Sequence, residues 1–480
     1  MSNQSTKLDR RSFLKVSALA GGGMMLSFNW LAGCKPKSEE ALGMPEDWFR
    51  MNGYIRIGDN GLITLMSPNP EGGQNVKTSM PMILAEELDA DWTKVIVEQA
   101  PLDTDNFTRQ FIGGSQAIRT GWTPLRTAGA TARQMLMRAA AQTWNVPVSE
   151  ITTEPGFILH QSSNKKAHFG EMASLAATLP VPEEVDLKAS QDFKIIGTSK
   201  KNVDLNKIVT GKPLFGMDYK KEGMLYAMII HPPAFGNRLK SFDDSQARSM
   251  PGIRDIFQFK SLRDDYKRTF FDTVQFTDLI AIVGDSTWQV LQAKKSIKAD
   301  WEIQEGYEEQ RDMFGREAVR VVPKGLENTD AQEMAMKQAA QKPQTQRKDG
   351  NPEAVFSTAA KVIERTYTGP FLAHNCMEPM NFFAHVEGDK VTCAGPLQKP
   401  ELTEHALSSR LGISVENIEI EMTRLGGGYG RRSYAHWLIE AAVISQKMNA
   451  PVKLVYTRED DMTGGVYRSR YQATYRAALN

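Results

Sequence analysis

Short runs that alternate apolar and polar residues, separated by amphipathic stretches, recur along the chain from about residue 45 to its end. Residues 54–57 alternate, a turn follows at 59–61, and residues 62–65 return, which predicts a β-hairpin. Residues 122–144 place apolar side chains at spacings of mostly three and four, which predicts an amphipathic helix. Strand and helix patterns therefore mix throughout, and the sequence predicts the α/β (α+β) fold class.

Four regions follow from where these patterns begin and end. Residues 45–200 open with the hairpin, and residues 210–303 alternate strand and helix patterns closely enough to predict one compact unit. Residues 331–355 are polar and rich in Gln, Lys and Ala, which predicts a solvated helix running into a linker, and residues 304–355 as a whole are expected to form the linker region. Residues 356–480 begin another α/β region, whose last predicted strand, from Tyr467 onward, has no later strand to pair with. We therefore expect this last domain to be incomplete.

The first residues carry the pattern of an export signal. Residues 10–14 read Arg-Arg-Ser-Phe-Leu. The apolar stretch at 16–31 has the length of a signal-peptide core, is interrupted by glycines and is short for a membrane span. This pattern predicts a twin-arginine signal over residues 1–34, and an N-terminal anchor helix is the alternative.

The signal ends in Leu-Ala-Gly-Cys, which resembles a lipoprotein cleavage site and predicts lipidation of Cys34. The alternative is an ordinary cleavage site with an incidental cysteine. The twin-arginine route exports proteins that have already folded. We therefore expect a protein that takes up a cofactor in the cytoplasm and works in the periplasm, or anchored on the outer side of the cytoplasmic membrane.

Composition argues against several classes of function. The formal net charge is +1, with 58 basic and 57 acidic residues, so no basic excess suggests nucleic acid. The 3 cysteines are too few to hold an iron–sulfur cluster alone, and the 7 histidines form no closely spaced pair, so a zinc hydrolase site is not expected. Cys376 and Cys393 are compatible with a disulfide or with two isolated buried thiols.

The sharpest local feature is the segment 425–432, which reads Leu-Gly-Gly-Gly-Tyr-Gly-Arg-Arg between a predicted strand and a predicted helix. Its glycines allow a ligand to approach the backbone closely, and exposed N–H groups favour anionic oxygens. The segment lacks the ending of a Walker loop, and its arginine interrupts a dinucleotide fingerprint. Taken alone, a merely tight turn is an equal alternative.

Further motifs stand in a fixed order around this segment. Residues 377–379 read Met-Glu-Pro, Gln398 ends a predicted strand, residues 72–75 read Gly-Gly-Gln-Asn and residues 113–116 read Gly-Gly-Ser-Gln. In this order and spacing they resemble the motifs of the molybdenum hydroxylases, the xanthine dehydrogenase and aldehyde oxidase family. The closer resemblance is to the large, molybdopterin-binding subunit of the isoquinoline 1-oxidoreductase type. Those subunits have a Gly-Gln-Gly turn where this chain reads Gly73-Gln74-Asn75, so Asn75 replaces a glycine.

The resemblance implies an α/β hammerhead domain at 210–303. A permuted molybdopterin-binding segment at 45–200 precedes it, and the first part of the main molybdopterin-binding domain, at 356–480, follows. The family's general-base glutamate belongs to a Gly-x-Gly-Glu type segment near the end of the subunit, and no such segment follows residue 432. The resemblance therefore implies a C-terminally truncated chain without an identified catalytic residue, which alone does not turn over substrate.

The implied cofactor is molybdopterin cytosine dinucleotide, whose molybdenum is held by the pterin and by no protein side chain. Gln398 is implied to hydrogen-bond an oxygen on the metal, and the glycine segment to approach its other ligands, with tyrosine replacing the usual phenylalanine. The turns at 72–75 and 113–116 are implied to hold the pterin and its phosphates. Turn caps and a strand-end amide are the structural alternatives, and Glu378 is expected to be structural. The implied cofactor-binding residues are Gln74, Gly114, Ser115, Gln398, Gly427, Gly428, Tyr429 and Gly430.

The implied activity is hydroxylation of an N-heterocycle or an aldehyde, with oxygen taken from water. The two electrons are expected to leave through a separate small [2Fe–2S] subunit, with or without a c-type cytochrome. One alternative is a catalytically inactive or cofactor-binding remnant that needs a second chain. Another is a quinone-linked dehydrogenase without molybdenum, and metal analysis distinguishes these alternatives.

Overall fold

The computed structural model describes residues 43–480 except 108, 262, 264–267, 270–275 and 277. The chain divides into two units, residues 1–45 and 46–480. Only residues 43–45 of the first unit are described, so the predicted signal and Cys34 lie outside the described residues. Within the described part of the chain, no helix is both long and apolar enough to cross a membrane.

Strands and helices mix along the whole of the second unit. Its strands are β1 Trp48–Arg50, β2 Ile55–Gly58, β3 Ile63–Ser67, β4 Val95–Gln99, β5 Ile151–Glu154, β6 Phe157–His160, β7 Lys165–His168, β8 Leu225–Ile230, β9 Asn237–Asp243, β10 Ile253–Lys260, β11 Arg268–Thr269, β12 Asp278–Gly284, β13 Lys298–Ile303, β14 Tyr307–Asp312, β15 Glu317–Val322, β16 Lys361–Gly369, β17 Asn381–Glu387, β18 Lys390–Gly395, β19 Ile418–Met422, β20 Val452–Val455 and β21 Tyr471–Leu479. Its helices are α1 Val76–Leu88, α2 Ala117–Trp144, α3 Phe169–Ala176, α4 Leu205–Val209, α5 Ser245–Arg248, α6 Thr287–Ser296, α7 Thr329–Ala339, α8 Pro352–Thr358, α9 Pro400–Leu411, α10 His436–Met448 and α11 Arg458–Thr463. The predicted α/β class is confirmed.

In the N-terminal region, helices α1 and α3 contact a four-stranded sheet in the order β1-β2-β3-β4, and α2 packs against α1. The predicted hairpin is β2 and β3, and α1 connects β3 to its parallel neighbour β4. The predicted helix at 122–144 begins earlier, at Ala117. Its first turn carries exposed side chains at 118–120, so that turn has no apolar periodicity to detect.

The largest sheet of the described residues has seven strands in the order β10-β12-β8-β20-β17-β18-β19. Its parallel pair β8 and β20 joins strands from 210–303 to strands from 356–480. Helix α10 is buried from His436 to Ser445, as a helix enclosed within its domain should be. The region predicted as one compact unit therefore shares a continuous sheet with the region after it, while the proposed domain boundaries remain a prediction.

Two peripheral features differ from the simplest expectation. The segment 304–355, predicted as a linker, contains the antiparallel hairpin β14–β15 as well as the exposed helix α7. The strand expected from Tyr467 begins at Tyr471 and pairs with β16 over nine residues of each strand.

Cys376 and Cys393 are free, buried thiols, so of the two alternatives the structure shows isolated thiols.

Candidate cofactor site

Three turns that are far apart in the sequence meet Gln398 around one cavity of about 740 Å³. The described residues that line it include no carboxylate, amine, guanidinium or imidazole group. They are Gly72, Gly73, Gln74, Val76, Ser79, Ile112, Gly113, Ser115, Gln116, Ala117, Ile118, Gln398, Leu425, Gly428 and Tyr429. The other predicted site residues do not themselves line the cavity but belong to the same turns; they are Gly114, Gly427 and Gly430.

The glycine loop, residues 425–430, forms one wall and needs its glycines for packing. A Cβ at Gly428 would lie 2.6 Å from the Oε1 of Gln398, and one at Gly426 would lie 2.4 Å from the Cβ of Glu378. Tyr429 adopts a left-handed backbone with φ 54° and exposes 64% of its surface. The loop therefore brings bare backbone to the cavity and turns one aromatic side chain outward.

A buried ion pair fixes the glycine loop from behind. The carboxylate of Glu378 accepts the Gly426 N–H at 2.8 Å and the Met217 N–H at 3.0 Å. The guanidinium of Arg432, fully buried, donates to the Gly427 carbonyl at 2.8 Å and lies 3.2 Å from the Glu378 carboxylate. Burial lowers the pKa of Arg432, and the Glu378 carboxylate opposes that shift. Glu378 therefore acts as a structural anchor, the role expected for it.

Gln398 connects the two walls of the cavity. Its Oε1 accepts the Gly430 N–H at 2.9 Å, and its backbone carbonyl accepts the Ile112 N–H at 2.8 Å. The residue is only 8% exposed. Its Nε2 has no hydrogen-bond partner among the described residues, so it remains a donor for an oxygen in the cavity.

The turn at 72–75 is closed by its own side chains. Gln74 accepts the Gly72 N–H through Oε1 at 2.8 Å and donates through Nε2 to the Pro70 carbonyl at 3.1 Å. Gln74 therefore lines the cavity, but its amide group caps the turn, which was the structural alternative for this residue. An exposed amide in a glycine turn gives no sign in the sequence of which role it takes.

The turn at 113–116, by contrast, leaves its donors open. Gly114 and Ser115 both have left-handed backbones, with φ 59° and 54°. Helix α2 follows, with no acidic residue in its first turn and no side-chain cap from Gln116, which instead accepts from Arg109. The backbone N–H groups of 113–115 and 117–119 have no acceptor among the described residues. These donors and the start of a 28-residue helix favour an anion at this end of the cavity.

Two basic residues near this turn were not among the site residues predicted from the sequence. The Arg109 guanidinium lies 4.2 Å and the Lys399 ammonium 5.6 Å from the centre of the Phe111 ring. Burial, followed by the neighbouring Arg109, lowers the pKa of Lys399. Isolated basic residues are common in any sequence, and only the position of Lys399 directly after Gln398 could have drawn attention to it.

The family comparison agrees with this geometry. Residues 23–211 and 333–480 each match a family model described as a molybdopterin cofactor-binding domain. The turns at 72–75 and 113–116 belong to the first segment, while Gln398 and the glycine loop belong to the second. The chain therefore belongs to the family of proteins with molybdopterin cofactor-binding domains. Its cavity lies where the two molybdopterin-binding segments of that family meet.

Several curated molybdenum hydroxylases and related enzymes are similar to this chain. It is 26% identical to the isoquinoline 1-oxidoreductase subunit beta of Brevundimonas diminuta, over 89% of this chain and 57% of the relative. It is 27% identical to a protein of Gluconacetobacter polyoxogenes named membrane-bound aldehyde dehydrogenase [pyrroloquinoline-quinone], over 97% of this chain and 58% of the relative. The chain thus spans somewhat more than half the length of these two relatives.

Solved structures of two oxidoreductases also align with part of the chain. The aldehyde oxidoreductase of Desulfovibrio desulfuricans aligns over 65% of this chain and 36% of its own, with 18% identity and a TM-score of 0.44. Quinoline 2-oxidoreductase of Pseudomonas putida aligns over 58% and 36%, with 14% identity and a TM-score of 0.42.

Proposed function

We propose that the cavity binds molybdopterin cytosine dinucleotide and that the protein is the large subunit of an exported molybdenum hydroxylase. Its substrate is an N-heterocycle or an aldehyde, and water supplies the oxygen. The observation that carries the proposal is the meeting of three backbone turns and one amide side chain around an uncharged cavity. Such a cavity suits a large ligand that brings its own anionic groups and its own metal.

The residues present fit the cofactor in three ways. The open N–H groups around Gly114 and Ser115 would receive phosphate oxygens. The unpaired Nε2 of Gln398 would donate to an oxygen carried by the metal centre, and the absence of a Cβ at Gly428 leaves that amide in place. Gln74 would contribute its position rather than its side-chain amide, which the turn already uses. The molybdenum centre, when bound, supplies the two-electron oxidation.

The cavity lining offers no general base, because none of its described side chains is a carboxylate or an imidazole. We therefore propose that this chain alone holds the cofactor without turning over substrate, and that the general base comes from a group other than the described residues that line the cavity. The electrons would pass to a small [2Fe–2S] subunit, with or without a c-type cytochrome, since three cysteines hold no cluster.

The proposed location of the protein rests on its first residues. The arginine pair at 10–11 and the lipobox-like end at Cys34 support export by the twin-arginine route and a lipid anchor. The protein would then work in the periplasm or on the outer side of the cytoplasmic membrane. Fractionation of the native host tests the anchor by comparing Cys34→Ser with the wild type. We expect the variant to lose its attachment to the membrane, and unchanged attachment would contradict the anchor.

Isolation of the native complex tests the proposed activity. The complex should contain molybdenum, should release a cytidine nucleotide on acid treatment, and should include a [2Fe–2S] protein. Incubation with an N-heterocycle or an aldehyde in ¹⁸O-labelled water should place the label in the product. A complex with molybdenum and no turnover would support the cofactor-binding remnant instead, and a complex without molybdenum would overturn the proposal.

A further inference from the structure

A buried glutamate, Glu71, stands directly before the first cavity turn and is only 2% exposed. Its Oε1 accepts the N–H groups of Gly73 and Asn75 at 2.7 and 3.1 Å, and its Oε2 accepts the N–H of Lys77 at 2.9 Å. The left-handed backbones of Gly73 and Asn75 turn these N–H groups toward one point. The carboxylate therefore fills, from within the chain, the anion position at the start of α1.

The same residue holds the opposite wall of the cavity. The backbone carbonyl of Glu71 accepts the Leu425 N–H at 2.8 Å, at the first residue of the glycine loop. The Arg424 guanidinium lies 3.7 Å from the Glu71 carboxylate and 3.7 Å from that of Asp204. Asp204 in turn pairs with Lys77 at 3.0 Å. This chain of ion pairs, which the backbone N–H of Lys77 closes on Glu71, joins three segments of the chain on the side of the cavity next to α1.

The two helices that begin at the cavity therefore differ in one respect. The start of α1 holds a carboxylate supplied by Glu71, whereas the start of α2 holds no acceptor among the described residues. Two helix starts that were both open would offer a bound anion two positions. An internal carboxylate at one of them leaves a single position and repels an anion from the other.

We propose that Glu71 is a positioning residue, which fills the anion position at α1, holds the start of the glycine loop, and so directs the anionic part of the cofactor to the start of α2. This inference rests on the proposed function for the identity of the ligand. The arrangement of Glu71 within the chain, however, can be tested without any cofactor.

The decisive variants are Glu71→Ala and Glu71→Gln, examined in the whole chain by thermal unfolding and by hydrogen exchange. Glu71→Ala removes a group the size of acetate, and its midpoint should fall by roughly 5 °C or more, because buried N–H groups lose their acceptor. Sodium acetate should restore at least half of that loss, and inorganic phosphate should stabilise Glu71→Ala more than the wild type. Glu71→Gln fills the space and should show a loss that acetate does not restore.

Exchange at residues 425–430 should quicken in both variants, although these residues are remote in sequence, and acetate should slow it again in Glu71→Ala alone. Glu171→Ala is the matched control. The Glu171 carboxylate caps α3 through one N–H at 2.9 Å but is half-exposed, so acetate should have no effect. If Glu71→Ala does not fold, Glu71→Asp keeps the carboxylate and should retain slow exchange at 425–430.

Wild-type stability in Glu71→Ala, or a loss that acetate fails to restore, would overturn the positioning role. The pterin content of the same preparations tests the link to the ligand, and both Glu71→Ala and Glu71→Gln should retain at least fivefold less than the wild type. Equal retention by variants and wild type would also overturn the inference. A wild type without pterin would contradict the proposed function, while the acetate result would still decide the role of Glu71 within the chain.

Discussion

The glycine loop at 425–430 and the turn at 113–116 face the same cavity but are built in opposite ways. The two ends of the loop are bound from within the protein: Glu378 accepts the Gly426 N–H, and Gln398 accepts the Gly430 N–H. At the turn and the start of α2, the N–H groups of 113–115 and 117–119 have no acceptor among the described residues. The loop is therefore a wall of fixed position, and the turn is a set of donors that a ligand can complete.

This difference separates shape from binding within one site. A change in the loop should disturb both the fold of this wall and the binding of the ligand, because the loop's hydrogen bonds set the position of the wall that the ligand contacts. A change in the turn should weaken ligand binding and leave unfolding unchanged, because its donors do nothing for the free chain. The predictions below test this separation, from the largest expected effect to the smallest.

The largest effect is expected from Gly428→Ala in the glycine loop. The new methyl group would lie 2.6 Å from the Oε1 of Gln398, so either the loop or the amide must move. We expect loss of nearly all bound pterin, measured by fluorescence of the oxidised pterin released from purified protein. Gly388→Ala is the control, since Gly388 has a positive φ but open space around it. Normal pterin content in Gly428→Ala would show that the loop is not a fixed wall.

Glu378→Gln should destabilise the loop by removing the charge that balances buried Arg432. Breaking a buried ion pair by removing one partner costs about 3 kcal/mol or more. Denaturant unfolding of the whole chain should show a loss of that size, together with faster hydrogen exchange at the glycine loop. A loss below about 1 kcal/mol would mean that the pair does not hold the wall.

Ser115→Glu should weaken binding at the open turn without lowering the stability of the free chain. The added carboxylate competes with the ligand for the open N–H groups, and we expect about a tenfold loss of cofactor retention, which corresponds to about 1.4 kcal/mol. The control is Ser162→Glu, at an exposed serine that does not line the cavity. Equal retention in the two variants would argue against an anion at 113–116.

The smallest effect on the cavity itself concerns pH and the core behind the loop. Burial raises the pKa of Glu440 to about 8 from its ordinary value of 4.5, and the Tyr456 hydroxyl donates to its carboxylate at 2.5 Å. A raised pKa in the folded state means that the unfolded chain ionises first. Unfolding free energy should therefore fall as pH rises from about 4.5 to about 8.

Glu440→Gln keeps the hydrogen bond from Tyr456 and removes the ionisation. Its unfolding free energy should fall less with pH across that window, as measured by denaturant unfolding at about pH 5 and about pH 8. Ser115→Glu, in the open turn, should keep the wild-type dependence. The same slope in the wild type and Glu440→Gln would contradict a neutral, buried Glu440 behind the loop.

Local patterns in the sequence were enough to predict most of the helices and strands. Residues 418–422 alternate apolar and polar side chains and form β19, and Gly412, with φ 72°, ends α9 where the sequence places a helix stop. The shared position of Gln398 and the glycine loop was expected only from the resemblance to the molybdenum hydroxylases. The strand β19 and the end of α9 depend on residues that are close together in the chain, so the sequence alone indicates them.

Long-range pairing was not visible in the same way. Nothing local to β8 or β20 indicates that the two strands pair, since both are short apolar runs that suit several neighbours. The role of Glu71 was missed for a similar reason. Its function depends on the left-handed backbones of Gly73 and Asn75 and on contact with Leu425, more than three hundred residues further along.

Hydrogen exchange of the cofactor-loaded chain against the cofactor-free chain tests the central claim most directly. If donors from turns far apart in the sequence converge on one cofactor, residues 112–119 should gain protection on loading, and residues 426–430 should gain it in parallel. The hairpin β14–β15, distant in sequence from both, should be unchanged. Protection confined to one of the two segments, or absent from both, would contradict a shared cofactor site.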